Sequence, residues 1–178
     1  MHPHLEHVFS RLDRSRAALR AAVDSVPSEA RESRPAPDRW SAAEVVEHLS
    51  IVERIFGARI EQAIQVRAAG LNRETAERAQ LPDAIVTRMA DRVNKRQAVE
   101  AALPTGTLSC EAAWTAFVNG HERVSAVVGA ADGLALGDVT VDHPFFGTLT
   151  IYQWIELMAA HEARHTEQIK EIAAALAV

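Results

Sequence analysis

The stretch TIYQWIELMAAHEARHTEQIKEIAAAL, residues 150 to 176, decides the fold that we predict for this chain. Thr150 and Gln153 form a capping-box pattern, which predicts that a helix begins here. Apolar residues then recur every three or four positions, as in an amphipathic helix with one buried face. The predicted inward stripe consists of Ile151, Trp154, Met158, His161, His165, Ile169, Ile172 and Leu176.

Three further segments have a helical period. The first covers about Leu5 to Val26. The second begins after Ser41, whose pairing with Glu44 is another capping box, and continues to Gly70. The third starts near Ser109, and its predicted stripe consists of Trp114, Phe117, His121, Val124 and Val128. Residues 71–108 are less regular and predict one short helix in a long crossover, and the glycine-containing stretch 129–149 predicts a loop with a short extended piece at 138–142.

Four amphipathic helices of similar length bury their apolar faces most economically in a bundle. We therefore predict an all-α fold, a four-helix bundle with long crossover connections. No internal repeat or change of composition divides the chain, so we expect one domain over residues 1–178.

Composition is that of an ordinary soluble protein, with 48% apolar and 24% charged residues and a net charge of −5. Charges of both signs are mixed, and no basic stripe predicts a nucleic-acid partner. No apolar run approaches the ~20 residues that span a bilayer. Cys110 is the one cysteine, and the N-terminal MHPHLEHVFS lacks the apolar region of a signal peptide. We therefore expect a cytoplasmic protein without nucleic-acid or membrane partners.

His161 and His165 lie on the inward stripe of the last helix, four residues apart and therefore on one face. Burying two imidazoles side by side is costly unless they have partners. One solution is a shared metal ion. The alternative is that each ring bonds a carbonyl or hydroxyl group of the core.

A metal site needs a third protein ligand, and the second helix offers His48 on its core side. The alternative for His48 is a position at the edge of the core. Three imidazoles would leave a coordination position open, as catalytic sites do. All-imidazole ligation suits Zn, Ni, Cu or Fe. We expect a divalent transition metal, zinc or nickel first and iron or manganese next.

The letters HEARH also match the H-E-x-x-H pattern of zinc proteases. The longer protease pattern requires Gly and His where this chain has Gln168 and Glu171. The sequence therefore disfavours Glu162 as a protease general base. A solvated glutamate, or an acceptor for an imidazole N–H, is the preferred interpretation of Glu162.

Two stretches resemble the DinB-like superfamily: RWSAAEVVEHL at 39–49 and HPFFGTLTIYQWIELMAAHEARHTEQI at 143–169. The resemblance implies an up-down-down-up four-helix bundle, often dimeric, with a divalent metal held by three histidines. In this chain those histidines are His48, His161 and His165, the same set that periodicity suggests. Gln168 matches a glutamine of the family pattern by position.

The resemblance implies a mixed range of functions. Some relatives bind a low-molecular-weight thiol as thiolate and transfer it to an electrophile, and others are described as metal-dependent hydrolases. We expect thiol-dependent S-transferase-like chemistry on a small-molecule substrate, in a homodimer. Metal-dependent hydrolysis, or a non-catalytic binding or stress-response module stabilised by metal, is the alternative.

The remaining histidines have weaker predictions. His121 lies on a core stripe and is a candidate, with Glu162 and Gln168, for supporting the ligands through hydrogen bonds; it could also be a fourth ligand or a plain core residue. His143 is expected to be a solvated loop residue, with the lining of a pocket mouth as the alternative. His2, His4 and His7 are expected to be exposed. Cys110 is expected to be a small residue near a helix start.

Overall fold

A computed structural model describes residues 1–74, 81–92 and 98–177. Four long helices form a bundle: α1 (Pro3–Asp24), α2 (Ala42–Arg67), α4 (Cys110–Ala130) and α5 (Ile151–Leu176). A short helix, α3 (Asp83–Ala90), lies in the crossover between α2 and α4, as predicted. The parts of that crossover at 75–80 and 93–97 are outside the described residues. The predicted all-α four-helix bundle is confirmed.

The helices pack as two parallel pairs. In one pair, Glu53 of α2 lies against Gly120 of α4, and Gly57 lies one turn further along, against Val124. In the other pair, Ser15 of α1 bonds Glu162 of α5. The end of α1 shares an apolar cluster with the start of α2, so those two helices are antiparallel. The order of directions is therefore up-down-down-up.

Capping boxes fix where α2 and α5 begin. Ser41 Oγ accepts the Glu44 N–H at 3.1 Å, and the Ser41 N–H donates to Glu44 Oε2 at 2.8 Å. Thr150 and Gln153 exchange the same pair of bonds at the start of α5. These bonds satisfy backbone donors that have no partner within the helix. Both helices that carry the predicted metal ligands thus start at the predicted residues.

A β-hairpin precedes α5. Its strands, β1 (Thr140–His143) and β2 (Gly147–Thr150), are antiparallel, and Gly147 adopts a φ of 73° in the turn, which suits glycine. The predicted extended piece at 138–142 corresponds to β1, whereas the second strand was not predicted. Trp154 Nε1 donates to the Val141 carbonyl at 2.9 Å and so fastens the hairpin to α5.

The core consists of two apolar clusters. One is built around the start of α1 and the start of α5, and the other around the start of α2 and the start of α4. Polar residues lie at the level between them, one from each long helix: Ser15, Glu53, His121 and Glu162. We call these four residues the polar layer. Within the described ranges, no helix is long and apolar enough to cross a membrane.

Candidate metal centre

Three histidines from two helices meet beside the polar layer. The candidate ligand nitrogens of His48, on α2, and of His161 and His165, on α5, all lie within 4.8 Å of one another. The Nε2 atoms of His161 and His165 are 3.0 Å apart. Metal–imidazole bonds of about 2.0–2.1 Å put two ligands of one ion roughly 3–4 Å apart, so the separation fits a shared ion. In the part of the chain that the structure describes, no other set of His, Cys, Asp or Glu residues is grouped in this way.

Hydrogen bonds to the far side of two rings orient them. His48 Nδ1 lies 2.6 Å from the Ala102 carbonyl oxygen, and His165 Nδ1 lies 2.8 Å from Gln168 Oε1. Each oxygen accepts a hydrogen bond from the Nδ1–H group, so the ring proton is on Nδ1 and the Nε2 atom of the same ring keeps its lone pair. Such partners select the tautomer that can bind a metal and hold the ring in place. The donor set and its orientation therefore fit a divalent transition metal.

The electrostatics keep the three rings neutral. Burial lowers the pKa of His48 below its usual range, although the bond to Ala102 opposes the shift. Burial, with smaller contributions from His48 and Arg164, lowers the pKa of His161 to about 3. Burial and the two neighbouring imidazoles lower the pKa of His165 well below its usual value. At neutral pH the rings are therefore neutral imidazoles, the form that binds metals.

His161 is the half-buried member of the triad, whereas His48 and His165 are buried. Trp40 packs on His48 with ring centroids 5.1 Å apart, where the chain enters α2. Arg164 anchors the end of α3 by donating to the carbonyls of Met89 and Asp91. An aromatic ring thus packs on His48, and an arginine of α5 holds the end of α3.

The three residues predicted to support the ligands have different positions. Gln168 contacts His165 directly. Glu162 points towards α1 instead, where Ser15 donates to its Oε2. His121 belongs to the polar layer, with Nδ1 3.8 Å from Glu53 Oε1. Gln168 is therefore the member of this set that the structure brings to the triad.

The preferred interpretation of Glu162 as a solvated residue or an imidazole acceptor was wrong. Its side chain is 1% exposed, and its Oε1 is buried with no hydrogen-bond partner. Burial raises the pKa of Glu162 to about 8, although the Ser15 hydrogen bond opposes the shift. The helical period places Glu162 beside the ligand face, and α1 covers that side of α5.

The expectation that His143 is solvated was also wrong. His143 is buried between the rings of Phe56, Phe146 and Trp154, with centroids 5.4, 4.7 and 5.0 Å away. The hairpin, which the sequence did not predict, folds it inward. His2, His4 and His7 are half-buried rather than exposed. Cys110 is a buried first residue of α4, and burial raises the pKa of its thiol to about 11.

Sequence reasoning missed the role of the Ala102 carbonyl. A backbone oxygen has no residue-type signal, and Ala102 is 54 positions from His48 in the chain. Its contact depends on how the crossover returns over α2.

Comparison with known families agrees with the geometry. The sequence model of the DinB superfamily matches residues 11–169. The chain belongs to the DinB superfamily. That match covers all three histidines of the candidate centre.

One relative of this DinB-superfamily chain and one solved structure of similar fold are informative. It is 25% identical over 150 residues to the uncharacterized protein YuaE of Bacillus subtilis (strain 168), covering 78% of this chain and 80% of YuaE. It also superimposes on the crystal structure of TT2238, a four-helix bundle protein, with a TM-score of 0.63 and 19% identity. That alignment covers 94% of this chain and 98% of TT2238. The second likeness concerns the fold alone.

Proposed function

We propose that this protein is a divalent-metal-dependent enzyme that activates a low-molecular-weight thiol for transfer to a small electrophilic substrate. The observation that carries the proposal is the set of His48, His161 and His165, neutral and grouped within 4.8 Å. Three neutral ligands leave the full positive charge of a divalent ion uncompensated and leave a coordination position open.

A thiol fits such a centre better than water on energetic grounds. When bound, the ion would lower the pKa of an incoming thiol and present it as thiolate at neutral pH. A free thiol has a pKa of about 8.5, whereas that of bulk water is about 15.7, so the thiol needs the smaller shift.

The chain's own residues have defined tasks in this proposal. His48, His161 and His165 hold the ion, Ala102 and Gln168 orient two of the rings, and Trp40 limits access of water to the His48 side. Substrates approach from the side of His161.

Metal content tests the first half of the proposal. Purified protein should contain about one divalent transition-metal ion per chain, and His161→Ala should lose it. His121→Gln is the matched control, because it changes a buried histidine outside the triad and should retain the metal. Equal metal content in wild type and His161→Ala would contradict the proposal.

Thiol dependence tests the second half. Metal-loaded wild type should consume an electrophilic dye in the presence of one of glutathione, bacillithiol, mycothiol or coenzyme A, and His161→Ala should not. Thiol-independent cleavage of an ester panel would indicate the hydrolase alternative. A metal-loaded protein inactive in both assays would favour a metal-stabilised binding module.

A further inference from the structure

Residues 102–107, which we call the strap, cross α2 beside the candidate metal centre. Two consecutive α2 residues contact the strap: His48 bonds the carbonyl of Ala102, and Glu47 bonds the strap further along. The strap therefore connects a buried carboxylate to the hydrogen-bond partner of a candidate metal ligand.

Glu47 makes three hydrogen bonds to the strap. Its Oε1 accepts from the N–H of Thr105 at 3.0 Å and from the Thr105 hydroxyl at 2.6 Å. Its Oε2 accepts from the N–H of Gly106 at 3.0 Å. Glu47 is 3% exposed, and bonds to a carboxylate shielded from water are stronger than neutral ones. These bonds hold a segment that is otherwise largely exposed.

The backbone conformation of the strap also allows it to lie close to α2. Gly106 has a φ of 71°, and a Cβ there would lie 3.1 Å from Glu44 Oε1. The Thr105 hydroxyl, already donating to Glu47, accepts the Thr107 N–H at 3.3 Å and so braces the turn. The backbone can thus approach α2 closely at this one place.

We propose that Glu47 is a positioning residue for the metal centre: by clamping the strap it holds the Ala102 carbonyl on His48 Nδ1 and keeps the lone pair on Nε2. The inference rests on the proposed metal binding by His48, His161 and His165. Glu47 itself touches neither metal nor substrate.

Glu47→Gln is the first test. The amide can still accept from Thr105, but its NH₂ group would face the N–H of Gly106, donor against donor. Gly106→Ala strains the backbone of the strap next to this contact, because a φ of 71° disfavours a side chain, and serves as a second variant. Glu44→Gln is the matched control, because Glu44 is a buried acid on the same helix that bonds Arg34 and Ser41.

Two measurements decide the matter. Nitrogen NMR of the metal-free protein reports the His48 tautomer: wild type and Glu44→Gln should show the proton on Nδ1, and Glu47→Gln and Gly106→Ala should show a mixture. Competition with a chelator should then show metal affinity lowered roughly 10- to 100-fold in the two strap variants and little changed in Glu44→Gln.

An unchanged His48 tautomer in both strap variants would overturn the inference, as would equal losses of affinity in Glu47→Gln and Glu44→Gln. The tautomer measurement needs no metal. If the wild-type protein binds no metal, the proposed function is wrong. The NMR measurement would still test whether Glu47 and the strap set the tautomer of His48.

Discussion

Gln168 gives the most direct test of a single residue near the metal centre. Replacing it with Leu removes the oxygen that accepts from His165 Nδ1. Metal affinity should fall about 10- to 100-fold, because losing such a partner frees the ring and its tautomer. Chelator competition measures the effect. Gln65→Leu, which removes a surface amide that bonds Glu61, is the control and should leave affinity unchanged.

His121 should make the stability of the protein depend on pH. Burial and the charge of Arg16 lower its pKa to about 4, although Asp13 opposes the shift. Glu53 of α2 also faces the ring. Because the unfolded chain binds this proton more tightly, the contribution of neutral His121 is complete above about pH 6.5 and is lost as the pH falls towards 4.

Between pH 7 and 5 the His121 contribution should fall by about 2 kcal/mol. Urea unfolding of metal-free wild type and His121→Gln at both pH values measures it. The variant should lose about 2 kcal/mol less than wild type over this interval. Parallel pH profiles for the two proteins would show that His121 is not the responsible group.

Individual residues also show where sequence reasoning succeeds. His48, His161 and His165 were identifiable because polar residues on an apolar stripe need partners, and the stripe is visible in one sequence. Glu162 and His143 were misjudged because their burial depends on which other element covers them. That information is not present in the local pattern of either segment.

At the scale of elements, replacing two helix glycines with alanine should change the stability of the protein in opposite directions. A Cβ on Gly57 would lie 2.7 Å from Val124 Cγ2, so Gly57→Ala should force α2 and α4 apart and destabilise the protein by roughly 1–3 kcal/mol. A Cβ on Gly129, in α4, meets nothing within 4 Å. Gly129→Ala should therefore stabilise the protein by about 0.4–1 kcal/mol.

Chemical denaturation at pH 7 compares the two glycine variants with wild type. Both substitutions raise helix propensity equally. Opposite signs of the change in the free energy of unfolding would therefore reflect the difference in helix packing at the two positions. Destabilisation by both variants would mean that α4 does not have the free surface described at Gly129.

The starts of the long helices were predictable because capping residues act over three positions. Ser41 with Glu44 and Thr150 with Gln153 make the bonds that their letters imply. The second strand of the hairpin was not predictable, because Gly147–Thr150 is too short to show an alternating pattern.

For the whole molecule, metal should raise thermal stability. His48 belongs to the α2–α4 pair and His161 and His165 to the α1–α5 pair, so a shared ion would join the two pairs. Free metal at 100 times its Kd adds about 2.7 kcal/mol, which corresponds to roughly 5–10 °C in Tm for a chain of this size.

Differential scanning calorimetry with zinc, nickel or excess chelator measures this shift in Tm. His48→Ala should show no difference between metal and chelator, because it removes the only candidate ligand from α2 among the residues described here. A metal-dependent shift of equal size in wild type and His48→Ala would place the ion elsewhere.

The overall architecture followed from the sequence in two steps. Periodicity predicted four long helices and hence a bundle, but it did not determine which helices are neighbours. The parallel pairing came from the resemblance to the DinB-like superfamily, and the contacts of Glu53 with Gly120 and of Ser15 with Glu162 agree with it.

The parallel pairing has a consequence for how the chain reaches its native state. The two helices of a parallel pair are joined by a long segment that must return along the bundle before they can pack. Closing such a loop costs more conformational entropy than forming a hairpin of adjacent helices. The pairing of α1 with α5 joins the first and last helices of the structure. We therefore expect slow folding for an all-helical protein, with α1 exposing its apolar face to chaperones until α5 has been synthesised.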